Sequence, residues 1–198
     1  MPGFALSILP LALHLAGAPP AAASCPRQPL PPAIESAALP PLSPHVFGIE
    51  FAASPMREYP GEAWVVRLSR RNERSEATLD IVRLRRQMTC NRYDVIGRWT
   101  APLPRADYAR IAAQVAPFTV PPADIVLRRD RGQHGVLDGT LIAFRAQAPN
   151  WRIERDLNAG DPIGARLAPI FHAVVARHVP AAALPDADWR RRSAPENR

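Results

Sequence analysis

Five histidines, two cysteines and a few closely spaced acids are the residues through which this 198-residue chain could do chemistry. His14 lies in an apolar N-terminal stretch, and His45 and His134 fall in loop-like segments. His172 and His178 are six residues apart in a helical pattern, so they lie on different faces and cannot chelate one metal ion together. Glu154 and Asp156 are two apart in a strand-like run and share a face with Arg152. That pattern fits an arginine–carboxylate ladder on a sheet surface better than a pair of catalytic acids. Asp138-Gly139 has the composition of a tight turn. A hydrolytic site would need His134, Asp138, Glu154 and Asp156 to converge in space, since no spacing in the sequence brings them together. No metal site and no cofactor is expected.

The enzyme templates fail on named requirements. The chain has neither a G-x-S-x-G nucleophile elbow nor a glycine-rich phosphate loop. It contains no lysine, which excludes Schiff-base and P-loop chemistry. All 25 basic residues are therefore arginine, and the formal net charge is +7. Such a surface attracts anions or an acidic protein. The arginines with the best opportunity are Arg83, Arg85, Arg92 and Arg98, on a predicted hairpin that also carries Trp99. Arginines beside aromatics can hold nucleic acid, but the N-terminal segment argues for a compartment without it.

That segment, Ala5 to Ala18, is uncharged, mostly apolar, too short to span a bilayer and interrupted by Pro10. It ends in small residues, with Ala21 and Ala23 in the A-x-A arrangement of a signal-peptidase site. Residues 1–23 are therefore predicted to be a secretory signal peptide, although no arginine precedes the apolar run. The mature chain would begin Ser24-Cys25. In an oxidising compartment Cys25 and Cys90 could form a disulfide, stabilising the fold by roughly 4 kcal/mol. The alternatives are free thiols, or lipidation of Cys25 through a poor lipobox, the only route by which a membrane would be a partner. Residues 24–44 are proline-rich and predict a linker, or an arm laid across the domain.

Residues 45–180 carry the pattern of a single α+β domain, and 181–198 read as a flexible tail. Phe47, Ile49 and Phe51 alternate on one face of a strand, as do Trp64, Val66 and Leu68. In the next strand Val82, Leu84 and Met88 share one face, so Arg83 and Arg85 are expected to point to solvent. Arg86 falls on the inward side, which predicts a bulge, a carboxylate partner or a strand end. Tyr93, Val95 and Trp99 align in a fourth strand that Pro102 and Pro104 should stop. A helix follows with Tyr108, Ile111, Ala112 and Val115 inward. A short strand is predicted over 125–129. Thr140–Ala146 and Trp151–Asp156 form a hairpin closed by Pro149-Asn150. A last helix starts at Asp161-Pro162, with Pro169 predicting a kink or break.

Two segments, near Val82–Tyr93 and Ile142–Arg152, share the order strand, strand, helix. The predicted architecture is an antiparallel sheet of about five to seven strands with two helices on one face, divisible into two ββα units. Together, the export signal, basic charge and absent catalytic motifs predict a basic, exported bacterial binding module rather than an enzyme. It would be periplasmic or secreted, or lipid-anchored to the envelope through Cys25. Its partner would be an anionic envelope component or an acidic protein.

Overall fold

A computed structural model describes residues 34–55, 61–87, 92–119, 140–187 and 189. The elements in chain order are α1 (Ile34–Ala38), β1 (Phe47–Pro55), β2 (Glu62–Arg70), β3 (Ala77–Gln87), β4 (Arg92–Leu103), α2 (Arg105–Val115), β5 (Thr140–Ala148), β6 (Trp151–Asn158) and α3 (Pro162–His178). The strands form one six-stranded antiparallel sheet in the order β4-β3-β2-β1-β5-β6. This is an α+β fold. The units β3-β4-α2 and β5-β6-α3 lie at opposite ends of the sheet, with the β1–β2 hairpin between them. The predicted strand at 125–129, together with Met88, Cys25, Cys90, His134 and Asp138, lies outside the described residues.

The alternating apolar residues of β1 and β2 build the main core. Phe51, Trp64, Val66, Leu68, Leu79 and Ile81 are fully or almost fully buried beneath α2 and α3. α2 contributes Tyr108, Ile111 and Val115 at three- and four-residue spacing. α3 contributes Leu167, Phe171 and Val175, and Phe171 stacks on Phe51 with ring centroids 4.6 Å apart. Asp161 caps α3 by accepting the Ile163 amide proton at 2.7 Å, with Pro162 in the first turn. At Gly164 any Cβ would come within 2.3 Å of the Asn158 carbonyl oxygen, so the helix can approach β6 this closely only with glycine there.

Several expectations are corrected. β3 does not have one buried and one wet face, because both are covered. Leu79 and Ile81 pack under α2 and α3, whereas Val82 and Leu84 join Ala52, Ala63 and Val65 in a second cluster, closed by Ala38 and Leu39. Arg83 thus lies on the helix side of the sheet, only 13% exposed, and is not a solvent-facing side chain. The predicted bulge exists, but it lies between Arg83 and Leu84, which pair with Gly97 and Val95. The extra residue, Ile96, reverses the alternation of β4. Tyr93 and Val95 therefore face the second cluster while Trp99 faces the main core.

Pro102 does not stop β4, which pairs through it with Thr78 and ends at Leu103. β4 is an edge strand, so proline's missing N–H need not face a neighbour. Pro169 does not break α3, which runs as one helix of 17 residues. The stretch predicted as a tail places Trp189 in the core, 1% exposed, where its Nε1 donates to the Ala168 carbonyl at 3.0 Å.

Tyr108 links α2 to the β1–β2 hairpin. The Arg70 guanidinium sits 4.3 Å from the centre of its ring and 5.0 Å from that of Phe47. Burial raises the Tyr108 phenol above its ordinary 10.0, and Arg70 opposes the shift without cancelling it. The folded phenol therefore holds its proton more tightly than the unfolded one. Its contribution to stability is complete below the unfolded value and is lost as the pH rises through the folded one. With no lysine in the chain, few other groups titrate in this range. Melting temperatures measured between about pH 8.5 and pH 11 should fall more steeply for the wild type than for Tyr108→Phe. Equal slopes would contradict the assignment.

Candidate binding surface

The four arginines singled out in the sequence are not brought into one cluster. Arg83 donates to both carboxylate oxygens of Glu62, through Nε at 2.7 Å and through Nη2 at 2.5 Å. It also lies 5.8 Å from the centre of the Trp64 ring. A bidentate pair of this kind holds the sheet together. Arg85 shares that face and is 59% exposed, with Glu62 at 3.8 Å. Arg92 is 54% exposed, pairs with Asp94 at 3.2 Å, and Asp94 also accepts from Gln87 at 2.8 Å. Arg98 lies on the opposite face, where Nη2 donates to the Ala38 carbonyl at 2.7 Å. Two roles result. Arg83 and Arg98 hold the fold, while Arg85 and Arg92 present charge to solvent next to the edge strand, whose bulge residue Ile96 is also exposed.

The opposite face carries a row that the sequence did not reveal. Glu154, Arg145, Glu50, Arg67, Asp80 and Thr100 are successive register partners across β6, β5, β1, β2, β3 and β4. Charge alternates in sign along this row. Glu50, 3% exposed, is gripped by Arg67, whose Nε is 2.5 Å away, and by Arg145 at 3.1 Å. Arg145 also reaches Glu154 at 3.5 Å, and Arg152 pairs with Glu154. At the far end Thr100 donates to Asp80 at 2.8 Å. The predicted ladder at Arg152 and Glu154 is thus one end of a row that crosses the whole sheet. A single charged residue inside each apolar strand, Glu50 in FGIEF and Arg67 in AWVVRLS, was the available signal.

The described end of the proline-rich segment, residues 39–44, lies over this row as an arm. Arg67 donates to the Pro40 carbonyl at 2.6 Å, and Gln147 donates to the Ser43 and Val46 carbonyls at 2.8 and 3.1 Å. These donors suit a stretch whose prolines offer carbonyls but few N–H groups. Gly48 makes room, since a Cβ there would stand 2.6 Å from Leu42 Cδ1. A depression of about 190 Å³ beside the arm is lined by Glu50, Arg67, Arg145, Gln147 and Arg152. Its carboxylate and guanidinium groups are already satisfied by one another.

Of the four residues weighed for hydrolysis, His134 and Asp138 lie outside the described residues. Glu154 is engaged with two arginines, and His172 Nε2 lies 3.1 Å from the Pro185 carbonyl with its ring against Trp189. Among the described residues no group of three or more His, Cys, Asp or Glu side chains is placed to hold a metal ion. No helix among them is long and apolar enough to cross a membrane. No family model matches the chain, and no curated protein or solved structure matches it.

Proposed function

We propose that the chain is an exported, non-enzymatic binding module, periplasmic or envelope-associated, that takes an anionic or protein partner. Export rests on the apolar segment Ala5–Ala18 and the A-x-A site ending at Ala23. Binding rests on the surface at the β3–β4 end of the sheet. There the guanidiniums of Arg83, Arg85 and Arg92 face the carboxylates of Glu62 and Asp94, three charges against two. Glu62 is taken up by Arg83, which leaves Arg85 as the cation least neutralised. Ile96, exposed at the bulge of the same edge strand, adds apolar area there. Arginine beside aliphatic surface is the composition of a protein-facing patch.

One preparation tests both parts. The full chain, expressed in a bacterium, should be recovered from the periplasmic fraction with a mass that begins at Ser24. Arg85→Glu with Arg92→Glu should abolish its retention on heparin at about 0.15 M salt while leaving its melting temperature within a few degrees. Retention unchanged in the double variant removes the binding surface. An unprocessed cytoplasmic chain removes the compartment.

A further inference from the structure

The outer surface of the two long helices carries a second feature that the charge of the chain did not suggest. Two adjoining depressions, of about 290 and about 190 Å³, run between α2 and α3 and share Arg110, Ile111, Val174 and Arg177. The N-terminal end of α2 (Asp107) lines the same depression as the C-terminal end of α3 (His178), so the helices run antiparallel along the groove. Ile111, Val174 and the half-buried Ile170 supply an apolar floor. Arg110 belongs to α2 and Arg177 to α3, and both line both depressions.

We infer that this groove is a docking site for an amphipathic helix of a partner protein, with a carboxylate received between Arg110 and Arg177 and an aliphatic side chain on either side. The charges argue for the carboxylate. Arg110 is paired with Asp107, but Arg177 makes no hydrogen bond or ion pair among the described residues. Asp107 lines the same depression, so one carboxylate stands against two guanidiniums and a positive charge is left at Arg177 for an anion to meet. The backbone argues for a helix. The amides and carbonyls of α2 and α3 are consumed by their own helical bonds along the groove, so an extended peptide would bury polar groups without partners there. A helix satisfies its own backbone and offers side chains at three- and four-residue spacing. The 11 residues of α2 give the groove a length of about 16 Å, enough for three helical turns.

This inference rests on the domain being a binding module, but it uses a surface on other elements than Arg85 and Arg92, so the two can fail separately. The probe is a fluorescently labelled twelve-residue amphipathic peptide with leucines flanking one central glutamate on its apolar face. A control peptide carries lysine in place of that glutamate. By fluorescence anisotropy the glutamate peptide should bind at least about tenfold more tightly than the control. Arg177→Glu should reverse that preference. Ala173→Trp, at an exposed position lining the groove, should abolish binding of both peptides with the circular dichroism unchanged. Arg85→Glu with Arg92→Glu should leave peptide binding intact. Equal affinity for the two peptides, no binding of either, or binding indifferent to Arg177→Glu and Ala173→Trp would overturn the inference.

Discussion

Replacing Trp189 with alanine is expected to destabilise the domain by about 3–5 kcal/mol, the range for removing a large aromatic side chain from a core. Its indole closes the main core from the C-terminal side. The ring lies 4.9 Å from Phe51, 6.4 Å from Trp64 and 5.9 Å from His172, measured between centroids. The substitution would also leave the Ala168 carbonyl without the indole donor. The backbone gives independent support. Trp189 has φ 62°, a left-handed conformation that costs a side-chain-bearing residue about 1–2 kcal/mol. Burying the indole, with its hydrogen bond, offsets that cost. For a domain with a typical stability of about 5–15 kcal/mol the loss is a large share of the total. Urea denaturation measures it directly. Trp189→Phe should cost distinctly less, because it keeps an aromatic ring against Phe51 and gives up only volume and the Nε1 bond. A loss below about 1 kcal/mol for the alanine variant would return residues 181–198 to the status of a tail.

Glu50→Ala should cost a comparable amount for a different reason. Its carboxylate is the shared anion of Arg67 and Arg145, and Arg67 is itself almost wholly enclosed. Removing the carboxylate strands a buried guanidinium, for which about 3–5 kcal/mol is the usual penalty. A second consequence is local. Arg67 also holds the arm at Pro40, so a guanidinium seeking water should loosen that clamp. Proteolysis within residues 39–45 should then become faster than in the wild type. Replacing Glu50 and Arg67 together with leucine removes both buried charges and should recover much of the stability, because an apolar pair needs no compensation. The arm should stay loose in that double variant, since the donor to Pro40 is gone. Chemical denaturation and limited proteolysis separate the two effects. A Glu50→Ala variant as stable as the wild type would mean that the row is decorative.

Much of the local architecture was legible. The period-2 runs of β1 and β2, the turn at Pro149-Asn150 and the Asp161-Pro162 start of α3 are short-range signals, readable because each depends on residues a few positions apart. The reading of β3 went wrong for a specific reason. A strand covered on both faces has no wet side, so alternation of Arg83 and Arg85 with Val82 and Leu84 did not report burial. In β4 a single extra residue, Ile96, reversed the faces of everything before it, and no composition rule marks such a position.

The candidate surface was legible only in part. Arg85 and Arg92 are exposed as expected, but Arg83 and Arg98 were drawn into structural roles by Glu62 and the Ala38 carbonyl. The groove between α2 and α3 left no trace in the sequence, because Ile111 and Val174 also read as ordinary core positions.

From the chain alone came the class of fold, the two long helices, the strands of the three hairpins and the expectation that no familiar catalytic motif is present. Those follow from hydrophobic period, caps and turn residues, which act over one or two helical turns. Register and docking belonged to the tertiary structure. Arg145 meets Glu50 across 95 positions of chain, and Gln147 meets the Ser43 carbonyl across 104. Such pairs exist only once strands from distant parts of the sequence lie side by side. They decided that the arginines of this protein divide between those enclosed with its own carboxylates and carbonyls, such as Arg67 and Arg83, and those that stay exposed, such as Arg85 and Arg92.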